Sequence, residues 1–192
     1  MTGFEERFWR EGLLVAGVDE AGRGPLAGPV VAAAVILPPG TEPFLKGDSK
    51  AMTPEEREEA LEEIKKRALA IGTGVVDSSV IDRVNILRAT KIAMKRALED
   101  LRVEFDVVIT DHVLLEGYNC LALTRGDEKS ISCACASVVA KVLRDRIMEV
   151  FGKVYPGYLF EKHKGYPTPE HRKILEILGP SDIHRKSFKP LL

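Results

Sequence analysis

The chain alternates short apolar runs with longer segments of helical periodicity. Leu13 to Val18 is an apolar run that ends on Asp19-Glu20. The glycine- and proline-punctuated "AGRGPLAGP" that follows reads as a turn. Val30 to Leu37 is continuously apolar, as expected of a strand covered on both faces. Two strands joined by such a turn predict a hairpin, so an all-parallel sheet is not expected. Pro38 to Lys50 reads as a loop. Thr53, with Pro54 next and Glu56 three positions on, is a helix start, and "EEREEALEEIKKRALA" carries that helix onward. A third strand is predicted from Gly72 to Asp77. Val84 to Leu101 is amphipathic, with Ile86, Leu87, Ile92, Ala93 and Leu98 at helical spacing. "EFDVVITD" is a further strand ending on Asp111, and Leu121 to Thr124 is a short candidate. Ser130 to Phe151 forms a long helix whose first half is small and apolar, hence buried. A last helix starts at Thr168 and stops at Gly179. Strands first, then strands alternating with helices, predict an α/β protein with a mixed sheet flanked by helices and a C-terminal helical extension. The expected division is residues 1–155 as core and 156–192 as extension, both in one compact unit.

Composition changes this picture little, and charge changes it locally. The 192 residues are 45% hydrophobic and 30% charged, enough for one ordinary globular core. Net charge is −1, so the overall basicity common in nucleic-acid binders is absent. The neutral total hides a basic C-terminal region containing Lys162, His163, Lys164, His171, Arg172, Lys173, His184, Arg185, Lys186 and Lys189. No apolar run has the length of a membrane span, and the charged N-terminus is not signal-like, so a cytoplasmic location is expected. The three cysteines, Cys120, Cys133 and Cys135, are poorly spaced for zinc and read as reduced, buried thiols.

Candidate chemistry lies in the carboxylates. Asp19 and Glu20 end the first strand, Asp111 ends a later one, and Asp127 precedes the long helix. Strand ends are where α/β folds build sites. Converging carboxylates repel unless a cation holds them, and hard ions such as Mg²⁺ or Mn²⁺ take oxygen ligands. Two such ions can activate water and stabilise a leaving oxygen in phosphodiester hydrolysis. Each residue taken alone also fits a turn or cap role. Asp19 and Glu20 pose a geometric problem as well, because neighbours on a regular strand point to opposite faces. Both serve one site only if the strand bends there, or if one contributes its backbone carbonyl. The expectation is that Glu20 uses its carbonyl at least in part.

These residues lie in segments that resemble the type 2 ribonucleases H, the ribonuclease HII family. "GVDEAGRGPLAGPVV" resembles that family's first hairpin. "GDSK" at Gly47 to Lys50, "IDRVNILRAT" at Ile81 to Thr90, "ITD" ending on Asp111, "GDEKSISCACASVVAKVLRDRIM" at Gly126 to Met148, "HKGYPTPEH" at His163 to His171 and "HRKSF" at His184 to Phe188 extend the likeness over most of the chain. The resemblance implies a ribonuclease H-like fold. It implies cleavage of the RNA strand of RNA/DNA hybrids, and cleavage 5' of single ribonucleotides in duplex DNA, leaving 3'-hydroxyl and 5'-phosphate ends. Mn²⁺ or Mg²⁺ is implied as cofactor, with two ions when substrate is bound. The implied partners are nucleic acids, with no membrane, and a monomer is expected.

Residue by residue, the resemblance places the metal-binding carboxylates at Asp19, Glu20, Asp111 and Asp127. Gly22, Arg23 and Gly24 would meet the ribose, and Tyr166 would stack on the neighbouring sugar; only the 2'-hydroxyl distinguishes RNA from DNA there. Phosphate contacts fall to Lys50, Arg23, Asn85 and the basic residues near His163, Lys164, His184, Arg185 and Lys186, which position a duplex without reading sequence. Two departures stand out: Arg125 where the family often has Lys, and His112 where it often has Gly. An orienting or solvent-facing role suits His112 better than one in the metal shell. Asp145 is the rival fourth carboxylate, although Lys141 one turn back favours a structural ion pair. The competing functions are a nucleic-acid-binding module without catalysis and a DNA-only nuclease of the same fold.

Overall fold

A computed structural model describes residues 4–45, 49 and 51–189. The five strands are β1 (Val15–Ala21), β2 (Val30–Ile36), β3 (Ala70–Val76), β4 (Val107–Asp111) and β5 (Cys120–Leu123). They form one mixed sheet in the order β3-β2-β1-β4-β5. β1 pairs antiparallel with β2, and β2 with β3; β1 and β4 run parallel, as do β4 and β5. The hairpin predicted from the first two apolar runs is present. The C-terminal ends of β1, β3, β4 and β5 consequently lie at one edge of the sheet, together with the start of β2.

The helices are α1 (Glu6–Arg10), α2 (Pro54–Arg67), α3 (Ser78–Val84), α4 (Ile86–Asp100), α5 (Gly126–Lys129), α6 (Ile131–Val154), α7 (Phe160–His163) and α8 (Pro169–Leu178). Thr53 and Glu56 close a reciprocal capping box at the start of α2. The amphipathic stretch predicted from Val84 to Leu101 is α4, which starts two residues later than expected, and α3 before it was not expected. Asn85 adopts φ +70°, ends α3, and caps α4 by accepting the Arg88 N–H on Oδ1 at 3.1 Å. α1 was not expected. It is held by Glu5, which is buried and whose Oε1 accepts the Ser130 hydroxyl at 2.6 Å and the Ser132 amide at 3.0 Å at the start of α6.

The sheet separates two apolar cores. One joins Val15, Ala33 and Val35 to α6, Leu61 and Ile64 of α2, and Trp9. The other joins Ala16, Val18, Ala32 and Ala34 to α4. These sets alternate along β1 and β2, as the two-residue period of a strand requires. Helices lie almost directly on the sheet where glycine allows it. A Cβ on Gly17 would fall inside the backbone of Ser132 and Cys133, which is why the first half of α6 is built of small residues. Cys133 and Cys135 are buried free thiols and Cys120 is a half-buried one; burial raises the thiol pKa of the first two.

Candidate active site

Asp19 and Asp111 follow directly on Val18 and Thr110, the last paired residues of parallel strands β1 and β4, so the register itself brings the two carboxylates side by side. Asp19 faces the α6 side of the sheet and is buried. Its Oδ1 accepts the Glu20 amide at 2.8 Å, and the Ser137 hydroxyl donates to the same carboxylate. Ser137 in turn shares a 2.8 Å hydrogen bond with Ser49. Neither serine was singled out from sequence. The available signal was a hydroxyl recurring on the otherwise apolar buried face of α6, in "SISCACASVVA".

Glu20 continues the strand with the opposite alternation, and Arg23 reaches back to its Oε1 at 3.3 Å. The other carboxylate oxygen, Oε2, is buried and takes no hydrogen bond among the described residues. Asp111 adds negative potential to both Asp19 and Glu20. The chain turns sharply after each pair: Gly22 has φ +98° and His112 has φ +57°. That left-handed backbone explains why glycine suits position 112. The His112 imidazole is exposed, with Nε2 3.6 Å from Asp111 Oδ1.

Asp127 arrives from the next strand over. β5 ends beside Asp111, pairing Leu123 with it, and the chain turns through left-handed Arg125 into α5. The Gly126 amide donates to Asp111 Oδ1 at 2.9 Å, and Gly126 lies against the backbone of Thr110 and Asp111. Asp127, almost fully buried, is thereby held one residue from the contact with Asp111. The rival Asp145 is engaged elsewhere. Lys141 Nζ bonds it at 2.7 Å and Arg57 lies at 3.9 Å, two turns along α6 from Ser137, in the ion-paired role that its neighbours suggested.

Electrostatics report how crowded this edge is. Burial first, and Glu20 second, raise the Asp19 pKa well above the ordinary carboxylate range. Burial also raises Glu20, with Arg23 opposing. A buried oxygen lacking a donor, beside carboxylates that burial and mutual repulsion drive toward protonation, is the environment a divalent cation relieves. The donors are all oxygen, the kind that Mg²⁺ or Mn²⁺ takes, and among the described residues no three of them stand close enough together to grip an ion as placed.

The Gly22-Arg23-Gly24 turn and Tyr166 come together beside these carboxylates. A Cβ on Gly24 would stand 3.9 Å from Cε1 of Tyr166. The Tyr166 ring is 39% exposed, with Lys141 Nζ and Arg144 Cζ 5.9 and 5.6 Å from its centroid. The Gly165-Tyr166 segment docks through a 2.8 Å bond from the Leu26 amide to the Gly165 carbonyl.

Other expected phosphate contacts are placed differently. His184 and Arg185 are buried, at 1% and 0% exposure, so neither touches a duplex directly. Their polar atoms are consumed internally: His184 by Ser181 and His171, and Arg185 by backbone carbonyls. His163 is buried in the same cluster, stacked on His171 at 4.1 Å between ring centroids. Lys164 pairs with Glu149 at 2.8 Å. Asn85 is exposed but spends Oδ1 on its helix cap. Arg23 and Lys186 are exposed, whereas Lys50 lies outside the described residues.

A mixed five-stranded sheet flanked by helices, with carboxylates gathered at one strand edge, defines the ribonuclease H-like class of nucleases. Among solved structures the chain is similar to the ribonuclease H2 of Pyrococcus horikoshii OT3 (TM-score 0.75, 26% identity, covering 93% of this chain and 95% of that one). It is also similar to the RNase HII of Archaeoglobus fulgidus, solved in complex with PCNA (TM-score 0.77, 27% identity, 92% and 96%). The Ribonuclease HII family model matches residues 16–191. The Ribonuclease HII of Aquifex aeolicus (strain VF5) is 66% identical over 191 residues, covering 100% of this chain and 97% of that protein. The chain belongs to the ribonuclease HII family. It is a hydrolytic nuclease of a divalent-metal-dependent class, an endoribonuclease acting on RNA/DNA hybrids. Among the described residues no helix is long and apolar enough to cross a membrane.

Proposed function

We propose that the enzyme also cuts duplex DNA on the 5' side of a single embedded ribonucleotide, leaving 3'-hydroxyl and 5'-phosphate ends. The observation that carries this reading is the approach of the Tyr166 ring to Gly24, immediately beside Asp19 and Glu20. A side chain at position 24 would reach the edge of the tyrosine ring; its absence lets backbone approach a sugar closely. The half-exposed ring and the exposed backbone beside it form one surface against which a single nucleotide's sugar can lie, so a longer run of RNA is not required.

Asp19, Glu20, Asp111 and Asp127 would hold two Mn²⁺ or Mg²⁺ ions. When bound, the ions supply water activation and stabilisation of the leaving oxygen in phosphodiester hydrolysis. The protein's own residues bind and orient. Ser137 fixes the Asp19 carboxylate, and Gly126 fixes that of Asp111. Glu20 contributes at least partly through its backbone carbonyl, while its side-chain Oε1 pairs with Arg23. A metal-bound structure with that carbonyl turned away would refute this detail. Residues 156–192 act as an extension within the same substrate groove, and the enzyme works as a cytoplasmic monomer.

Product mapping tests the proposal. A DNA duplex carrying one ribonucleotide, incubated with Mn²⁺, should give a single 5' cut with 3'-hydroxyl ends, and chelator should stop it. Ends bearing 2',3'-cyclic phosphate would mean that the 2'-hydroxyl attacks rather than being recognised. Equal cutting of an all-DNA duplex would favour the DNA-only reading.

A further inference from the structure

Two arginines are fully buried beneath the Gly22-Arg23-Gly24 turn, and neither is matched with a carboxylate among the described residues. Arg144 Nε donates to the Pro29 carbonyl at 3.0 Å, Nη1 to Lys164 at 3.0 Å and Nη2 to Ala27 at 3.2 Å. Arg185 goes further. Its Nε donates to Gly28 at 3.0 Å, its Nη1 to Arg23 at 3.0 Å, and its Nη2 to Gly22 at 2.6 Å and to Pro29 at 3.1 Å. Every acceptor is a backbone carbonyl of the β1–β2 connection, more than 150 residues away in sequence. The Phe188 ring lies 5.1 Å from the guanidinium carbon. Burying an unpaired guanidinium is costly, so this one is held where its fork meets four fixed acceptors.

The consequence follows from peptide geometry. A trans peptide points its N–H opposite to its C=O. With the Gly22 carbonyl turned inward onto Arg185, the Arg23 N–H must point outward. With the Arg23 carbonyl turned inward, the Gly24 N–H must point outward as well. Both residues are exposed, so two adjacent amide donors are presented on the surface beside Tyr166. Without the guanidinium, Gly22 and Gly24 leave the turn free to rotate those peptides.

We propose that Arg185 is a positioning residue for sugar recognition: from inside the protein it locks the Gly22 and Arg23 carbonyls, and so aims the Arg23 and Gly24 amides at the ribonucleotide. It acts on substrate only through the turn. The inference rests on the ribose-sensing reading above, and it adds what holds the sensor in shape.

The test compares equilibrium binding of two duplexes of one sequence, all-DNA and with one ribonucleotide, in Ca²⁺ so that binding is read without relying on turnover. Wild type should prefer the ribonucleotide duplex by about tenfold or more. Arg185→Lys keeps the charge but loses the fork, and the preference should fall to within about twofold of none, a loss of roughly one hydrogen bond's discrimination or more. A merely structural defect would weaken both duplexes together and leave their ratio unchanged. A wild-type ratio near one would overturn the ribose-sensing reading and this proposal with it. A clear wild-type preference retained in Arg185→Lys would overturn this proposal alone. Should Arg185→Lys fail to fold, Phe188→Leu leaves the guanidinium in place but removes its stacking partner. The ratio should then fall about threefold, as loss of a cation–π contact predicts, and an unchanged ratio would again overturn the proposal.

Discussion

Nε2 of His171 and Nε2 of His184 are 3.0 Å apart inside the C-terminal segment, and the surrounding bonds assign every proton. His184 Nδ1 accepts the Ser181 amide at 2.8 Å, so its proton is on Nε2. His171 must accept that proton and donate its own, from Nδ1, to the Tyr166 carbonyl at 2.9 Å. Both rings are therefore neutral, and together they tie the Tyr166 turn to the strand-like contact of His184 with Ala27.

Acid should undo this arrangement before it unfolds the sheet. Burial first, and His171 second, lower the His184 pKa to about 4, whereas an unfolded histidine titrates near 6.5. Between those values the unfolded chain binds more protons, so stability rises with pH there and is lost as pH falls. The loss from this group should total about 2–3 kcal/mol by pH 4 and then level off. Urea unfolding of wild type and His184→Gln at pH 7, 5.5 and 4 checks it. The gap between the two should narrow on acidification; a constant gap would contradict the assignment.

Asp19→Asn should make the metal-free protein more stable while ending cleavage. The raised pKa of Asp19 means that the folded chain favours its protonated form. Above the unfolded pKa near 3.9, keeping it ionised costs stability. Removing that charge should add about 1–2 kcal/mol, read as a higher melting temperature in chelator at pH 7. A lower one would mean that the carboxylate is structurally paired.

Divalent ions should reverse the order. Mn²⁺ should raise the melting temperature of wild type and release protons, because the ligands must be ionised to bind. Titration calorimetry in two buffers of different ionisation enthalpy measures the proton count, expected to fall as pH rises. Asp127→Asn should abolish turnover and spare duplex binding. Full activity in that variant would remove Asp127 from the metal-binding set.

Tyr166→Ala should reduce cleavage at a lone ribonucleotide by roughly tenfold, as for loss of one aromatic stacking contact. Activity on long hybrids should suffer less. Equal activity on the lone ribonucleotide would take the ring out of the site.

Gly17→Ala should be among the most damaging single-methyl changes. The added carbon meets backbone of α6 rather than a movable side chain, so about 3 kcal/mol or more is expected. Thermal melting would show it, and a shift under about 2 °C would mean that α6 can lift from the sheet.

How much of this was legible in the sequence follows from distance along the chain. The hairpin, the five strands and the long helix were readable because apolar periodicity is local. α3 was not, because its seven residues are too few for a clear helical period and depend on the Asp77 cap at one end and left-handed Asn85 at the other. α1 was missed because its five residues depend on Glu5 meeting Ser130 and Ser132. Asp19, Glu20, Asp111 and Asp127 could be nominated from strand ends, since parallel pairing of β1 and β4 brings those ends together. Arg185 was misplaced at the surface because a guanidinium ordinarily seeks water or an anion. Its actual partners, carbonyls of residues 22, 23, 28 and 29, leave no trace in side-chain chemistry.

Those same carbonyl bonds order events during synthesis. A chain growing from its N-terminus holds all four carboxylates once Asp127 has emerged, long before Arg185 is added. A domain folds as a unit. The carboxylate edge and the lock on the β1–β2 turn thus draw on opposite ends of one folding unit, so the turn takes its held shape only when the last segment of the chain has been made.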